Sequence, residues 1–219
     1  YDTNYVLTAL KRMGFDDVVE VAIGAEYVSA ATTEYIKTQH KSRKPVISSA
    51  CPAVVNLILM RFEHLMDNLS PIQQPEEVTA NMARAKAQME TGLSDSEIGV
   101  FVITQCAACV MGLKNSVNAK IDGVLSAKEI YFPLLAELNK LTPADLENLS
   151  LAGSLGVSWG ASSGEAHGLK TDNYLSADGM ENVVAVLNDM EHDRLSGLDF
   201  IELYACTLGC VGGTMNIES

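Results

Sequence analysis

The run Leu198–Asp199–Phe200–Ile201–Glu202–Leu203 reads as a strand and leads into Cys206–Thr207–Leu208–Gly209–Cys210–Val211–Gly212–Gly213. Two thiols separated by three residues and followed by a glycine pair can bend around one metal centre while the backbone approaches it closely. Soft thiolate donors favour zinc or an iron–sulfur cluster over magnesium or calcium. The reading then rests on where the other three cysteines fall.

Residues 4–13 read as a short amphipathic helix ending at Gly14, and Val18–Ile23 as a strand closed by Gly24. A helix from Ala25 to Thr38 precedes a basic, polar loop over His40–Lys44. Pro45–Ser48 is the next strand, and it runs into Cys51–Pro52, with proline at the first position of a helix extending to Met66. Pro75–Thr91 is helical, and Ile98–Ile103 is a nearly continuous apolar run, as in a buried parallel sheet. Ile121–Leu125 is a strand and Ser126 caps a helix to Leu141. Residues 142–178 are looser and rich in Ser and Gly, and Gly179–Arg194 returns to helix. Strands joined by helix-length crossovers predict an α/β fold with parallel strands.

Strands ending near Ser48, Ile103 and Leu203 each deliver cysteine at the carboxyl end, where open α/β sheets collect their ligands. Cys51, Cys106, Cys206 and Cys210 can therefore converge, and four thiolates suit a 4Fe–4S cubane. A zinc site from the tight pairs Cys106–Cys109 and Cys206–Cys210 is the alternative, and it leaves Cys51 unexplained. Cysteines as small buried hydrophobes are the plainest reading of any one of them.

An odd count of five cysteines, widely spread, suits a reducing, cytoplasmic setting better than a disulfide framework. The formal charge of −13 argues against nucleic acid as a partner. No run approaches the roughly 20 apolar residues of a membrane span. Tyr1–Asp2–Thr3–Asn4 is neither a signal peptide nor an initiator methionine, so a fragment of a longer multidomain protein is expected.

Ser48–Ser49–Ala50–Cys51–Pro52, Thr104–Gln105–Cys106–Ala107–Ala108–Cys109 and Glu202–Leu203–Tyr204–Ala205–Cys206–Thr207–Leu208–Gly209–Cys210–Val211–Gly212–Gly213 resemble the three signature motifs of iron-only (FeFe) hydrogenases. Those motifs run roughly T-S-C-C-P, M-P-C-x-x-K and E-x-M-A-C-x-x-G-C-x-x-G-G. The likeness covers almost the whole chain, so residues 1–219 are expected to form a single H-cluster domain. It implies two lobes of mainly parallel sheet flanked by helices, with a metal cluster in the cleft between them. It further implies that Cys51, Cys106, Cys206 and Cys210 bind a 4Fe–4S cluster. Cys210 would also bridge to a two-iron subcluster carrying carbonyl (CO), cyanide (CN) and a bridging dithiolate amine. The implied chemistry is reversible oxidation of H2 to protons and electrons.

The departures carry information too. Ala50 stands at the proton-transfer cysteine, Cys109 at the lysine that would hydrogen-bond a cyanide, and Thr104, Gln105 and Tyr204 at cavity-lining positions. Alanine in the first motif resembles the sensory branch, whose domains are joined to ferredoxin-like, PAS or kinase modules or use an electron-transfer partner. Glu165 and Glu202 are the candidate proton relay, since a carboxyl in a low-dielectric pocket titrates nearer neutrality. Ser70 and Glu34 loosely match the ordinary relay, which Ala50 interrupts. Trp159 and Ser158 are expected on the cavity wall, with His64 and His192 on helix surfaces. Three outcomes stay open: a catalytic or H2-sensing domain, a redox or sensory iron–sulfur module that has lost the two-iron unit, and a hydrogenase-like cluster-assembly protein.

Overall fold

The computed structural model describes residues 2–38 and 45–217, so the expected loop over His40–Lys44 lies outside the described residues. Helix α1 (Thr3–Arg12) is capped by Asp2, whose carboxylate accepts from the Asn4 N–H at 2.9 Å. The strand expected over Val18–Ile23 does not form, because Val21–Thr38 is one helix, α2. Gly24 lies inside that helix. A Cβ there would lie 2.2 Å from Thr79 Oγ1 and 2.6 Å from the Pro75 carbonyl, so the glycine lets α2 press onto α4 (Pro75–Thr91). It is a packing position inside a helix and not the end of a strand.

Two parallel sheets organise the described residues. The first has the order β1 (Val46–Ile47), β5 (Phe200–Tyr204), β4 (Tyr174–Asp178), and the second pairs β2 (Phe101–Thr104) with β3 (Gly123–Ser126). All five residues of β5 are buried. Strand alternation sends Ile201 and Leu203 into a core with Ile47, Val54, Ile58, Val183 and Leu187 of β1, α3 (Pro52–Arg61) and α9 (Met180–Glu191). Phe200 faces the other way, against Ile36, Val46, Ala166 and Leu169. Glu202 shares that second side and bonds to the Ala166 N–H. Helix α3 stops at Arg61 instead of reaching Met66, since Phe62 turns out of helical conformation (φ −130°, ψ 46°) into a 3₁₀ turn over Glu63–Asn68.

The apolar run Ile98–Ile103 yields a shorter strand that starts three residues later, in a sheet of only two strands among the described residues, and Phe101 stays 50% exposed. Helix α5 (Ala107–Lys114) and α6 (Ala127–Leu138) follow β2 and β3. Ser126 caps α6 as expected, in a reciprocal box with Glu129 (3.1 and 2.7 Å). The stretch over 142–178 is more ordered than its composition suggests. It holds a 3₁₀ turn at Pro143–Asp145, α7 (Ser154–Ser158), α8 (Gly164–Gly168) and β4, an edge strand whose half-buried residues give no strong pattern. The architecture is an α/β fold of parallel sheets flanked by helices. No helix among the described residues is long and apolar enough to cross a membrane.

Candidate metal centre

The three cysteine-bearing strand ends face a common space. Ser48 closes β1 by donating its N–H to the Ile201 carbonyl at 2.9 Å, and Cys51 then caps α3 with Pro52 in the first helical turn. Cys106 caps α5, its Sγ accepting the Cys109 N–H at 3.2 Å. Beyond β5 the chain reverses at Leu208 (φ 69°) and Gly209 (φ 76°), a left-handed pair that returns Cys210 towards Cys206. This turn is clamped by Asp178, which accepts the Leu208 N–H at 2.8 Å, and by the Gly160 carbonyl, which accepts the Cys210 N–H at 2.8 Å.

The glycine pair acts by absence of side chain. A Cβ at Gly213 would stand 2.4 Å from the Gln105 carbonyl, and Met215 donates to that same carbonyl at 3.0 Å. Close approach at Gly213 therefore seats the third motif directly on the second.

All five thiols are free. Burial raises the Cys206 thiol, and the charges of Cys51 and Cys106 raise it further. Cys210 is raised by burial and then by Glu76, Cys51, Cys106 and Cys206. Cys51, Cys106, Cys206 and Cys210 thus stand within electrostatic reach of one another, and their mutual repulsion as thiolates, which holds Cys206 and Cys210 protonated, is what a bound polycation would relieve. Among the described residues no three His, Cys, Asp or Glu side chains are already closed into a cage for a single metal ion, neither the tight pairs nor the four candidate thiols. Four thiols spread around a shared space fit a 4Fe–4S cluster in number and softness.

Cys109 lies one turn beyond Cys106 and is buried in the second core with Val102, Leu113 and Ala119. A hydrogen bond between the two thiols pulls Cys106 down to about 6 and pushes Cys109 up. Glu76 is a site residue that the sequence reading missed. It lies in the first turn of α4, half-buried, and its carboxyl is raised by burial and by Cys106. Its charge also acts on Cys109 and Cys210. An acidic first turn is ordinary helix chemistry, so nothing in Pro75–Glu76–Glu77 distinguishes it.

Glu165 and Glu202 come together on the far side of β5, both buried. Burial pushes Glu165 up to about 8, with the Ser48 hydroxyl opposing and Glu202 adding to the rise. Ser48 Oγ donates to Glu165 Oε2 at 2.5 Å and accepts the Ala50 N–H at 3.1 Å. Burial takes Glu202 to about 7 against the N–H groups of Ala166 and Glu165. The Tyr204 hydroxyl also holds Glu202 down, while it donates to the Trp159 carbonyl at 3.3 Å, and among the described residues Glu202 Oε1 has no hydrogen bond of ordinary geometry of its own. The charges of Glu165, Glu202, Cys210 and Cys51 all act on Tyr204, which therefore stands between the acid pair and the thiols.

A cavity of about 10 Å³, room for one water, is lined by Ala50, Ser70, Thr32, Trp159 and Glu165 among others. Trp159 is therefore on a cavity wall, while Ser158 is exposed. Glu34 is not there, for it pairs with Lys37 on the surface at 3.2 Å. His64 meets Glu191 at 3.3 Å and His192 ends α9, both outside the site.

The family model for the iron only hydrogenase large subunit, C-terminal domain, matches residues 1–169 and 138–214. The chain belongs to that family. Iron hydrogenase 1 of Clostridium pasteurianum is 24% identical over 210 residues, covering 91% of this chain and 36% of that protein. The cytosolic Fe-S cluster assembly factor NAR1 of Scheffersomyces stipitis is 25% identical over 131 residues, covering 55% of this chain and 24% of that protein. The hydrogenase-like domain thus spans about a third or less of the length of these relatives. A variant of the FeFe-hydrogenase of Chlamydomonas reinhardtii shares its fold, with a TM-score of 0.71, 15% identity, and coverage of 99% of this chain and 74% of that chain. A structure of an FeFe-hydrogenase studied for stepwise H-cluster assembly gives a TM-score of 0.70 at 14% identity, again covering 99% and 74%.

Proposed function

We propose that residues 1–219 form one two-lobed H-cluster domain of the sensory branch, in which Cys51, Cys106, Cys206 and Cys210 hold a 4Fe–4S cluster. In this reading Cys210 also meets a two-iron subcluster with CO, CN and a bridging dithiolate. The observation that carries the reading is the mutual electrostatic reach of four thiols delivered by strand ends of both sheets. When bound, the cluster supplies reversible interconversion of H2 with protons and electrons, in catalysis or in sensing.

The residues of this chain supply position and protons. The turn at Leu208–Gly209 and the contact of Gly213 with Gln105 fix the third and second motifs to each other. Glu165 holds a proton at neutral pH, and Glu202 is poised to exchange one. Ser48 Oγ joins Glu165 to the backbone of Ala50, and a hydroxyl can turn from donor to acceptor as the acid gains its proton. The cavity between Glu165 and Ala50 provides the space that an alanine side chain cannot bridge chemically. Cys109 completes the candidate set beside Cys106, where it is a weak donor in place of an ammonium. Electrons would pass to a partner or to fused ferredoxin-like, PAS or kinase modules, and five free thiols suit a reducing cytoplasm.

One observation favours a second reading, a redox, sensory or assembly module without the two-iron unit. Cys109 is a buried thiol bound to its neighbour, so it brings no positive charge to a cyanide-bearing group. Anaerobic loading with iron, sulfide and a synthetic two-iron precursor separates the two. Infrared bands of bound CO and CN are expected under the first reading. Full cubane loading without those bands would establish the second.

A further inference from the structure

Cys106–Ala107–Ala108–Cys109 spans the junction of β2 and α5, placing one cysteine at the helix cap and the other at the third helical position. Cap and third position face each other at every helix start, and here both positions carry a thiol. Cys106 Sγ accepts the Cys109 backbone N–H at 3.2 Å, which holds the two cysteines together. Cys106 is half-exposed whereas Cys109 is 3% exposed. For Cys206 and Cys210 the effects of other thiols are those of charge at a distance. An outer thiol backed by a buried one across two residues at a helix start is the layout of dithiol–disulfide exchange. One helical turn also gives the short Cα separation that a disulfide requires.

We propose that Cys106 and Cys109 are a reversible dithiol–disulfide pair, closing when the site holds no cluster and so withdrawing Cys106 from the ligand set until it is reduced. The gating part rests on the reading above that Cys106 is a cluster ligand. The oxidant is a small-molecule disulfide such as oxidised glutathione. Cys106 Sγ attacks one of its sulfurs, forming a mixed disulfide and releasing one glutathione thiol. Cys109 Sγ then attacks Cys106 Sγ, breaking the mixed disulfide and releasing the second. The protein thiols lose two hydrogens in total and glutathione gains them. Burial dictates the order, since the small molecule meets Cys106 before Cys109. Closing the bond also keeps the outer thiol from irreversible over-oxidation. Lysine at position 109, as in the family motif, would leave Cys106 without this partner.

The test equilibrates iron-free full chain with mixtures of oxidised and reduced glutathione, then alkylates free thiols and maps them by mass spectrometry. The expected result is joint loss of Cys106 and Cys109 alkylation in one two-electron transition, with a peptide linking them. In Cys109→Ser the mixed disulfide with glutathione should instead accumulate on Cys106. Oxidised protein, freed of excess glutathione, should lose most of its iron–sulfide uptake and regain it after a dithiol reductant. Cys106 remaining alkylatable throughout, or pairing with Cys206 or Cys210, overturns the proposal. So does equal iron uptake by oxidised and reduced protein. Full loading of Cys106→Ser would show that the ligand reading has failed, and the disulfide map would still report on the pair.

Discussion

In the three-stranded sheet β5 lies between two parallel partners with all its residues buried, whereas β2 has a single partner and leaves Phe101 half-exposed. The first sheet carries Cys51, Cys206 and Cys210 on elements packed against a large apolar core. The second carries Cys106 and Cys109 over a smaller one. Polar links supplement it: Arg84 bonds the carbonyls of Ile98 and Lys120 and pairs with Asp95 and Asp122. The contrast separates two tasks. On the ligand reading proposed above, the larger side would fix most of the ligand geometry while it encloses the acid pair, and the smaller side would contribute Cys106, whose sulfur already accepts the Cys109 N–H.

Several substitutions sharpen or break that contrast, the largest effect first. Replacing Cys51, Cys206 or Cys210 by Ser should abolish iron retention and destabilise the fold, because metal binding energy is folding energy at such a site. Cys109→Ser should lose far less iron, as read by metal analysis. If Cys109→Ser loses iron as completely as Cys106→Ser, the ligand assignment is wrong. In the apolar cores, Ile201→Ala should cost about 2–5 kcal/mol in denaturant unfolding. Val102→Ala removes two methyl-sized groups near the edge of the smaller core and should cost about 1–2 kcal/mol. Equal costs would mean that the two sides are equally rigid. Arg84→Ala removes the donor to the Ile98 and Lys120 carbonyls and leaves Asp122 only the Val100 N–H, worth about 1–3 kcal/mol, and should reduce protection of β2 and β3 in hydrogen exchange before β5.

The acid pair gives the larger side a pH signature, of the same sign as the raised Glu76 carboxyl contributes from α4. Glu165 titrates at about 8 in the fold against 4.5 as the ordinary value. Its folded form therefore keeps a proton that the unfolded chain has lost. Stability is full below about pH 4.5 and declines as pH rises towards about 8, by about 1.4 kcal/mol per pH unit for one such proton. Glu202, at about 7, adds to the decline in the same direction. Glu165→Gln should flatten the urea midpoint across this range in the iron-free chain. An unchanged slope would place the proton elsewhere. The smallest expected change is in Cys109→Lys, which should increase CO and CN band intensity after precursor loading. An ammonium gives a charge-assisted hydrogen bond, roughly twice as strong as a neutral one.

What the sequence disclosed follows from locality. Helix α4 begins and ends where Pro75 and the turn at Gly92 place it, since its signals lie within a few residues of its own ends. The three cysteine-bearing strand ends were legible for the same reason: each motif joins a strand to its turn. The β-branched run at Val18–Ile23 misled because the glycine that closes it is explained only by Thr79, far away in α4. Strand β4 was hidden by its edge position and half-buried residues. The Ser48–Glu165 bond links residues 117 positions apart, and Glu76 meets the cysteines only through the fold. Strand-end placement named the four candidate ligands, and the resemblance implied the same four. Burial and distance supplied the acid pair's chemistry.

The central claim is that thiols from both sheets share one cubane. Its most direct test is a count of iron and acid-labile sulfide per chain after anaerobic reconstitution, for the native protein and for Cys51→Ser, Cys106→Ser, Cys206→Ser and Cys210→Ser. Before any two-iron precursor is added, about four iron and four sulfide are expected in the native chain, as a cubane requires, with a large loss in every variant. A single tightly held zinc, or undiminished iron in Cys51→Ser or Cys106→Ser, would contradict it.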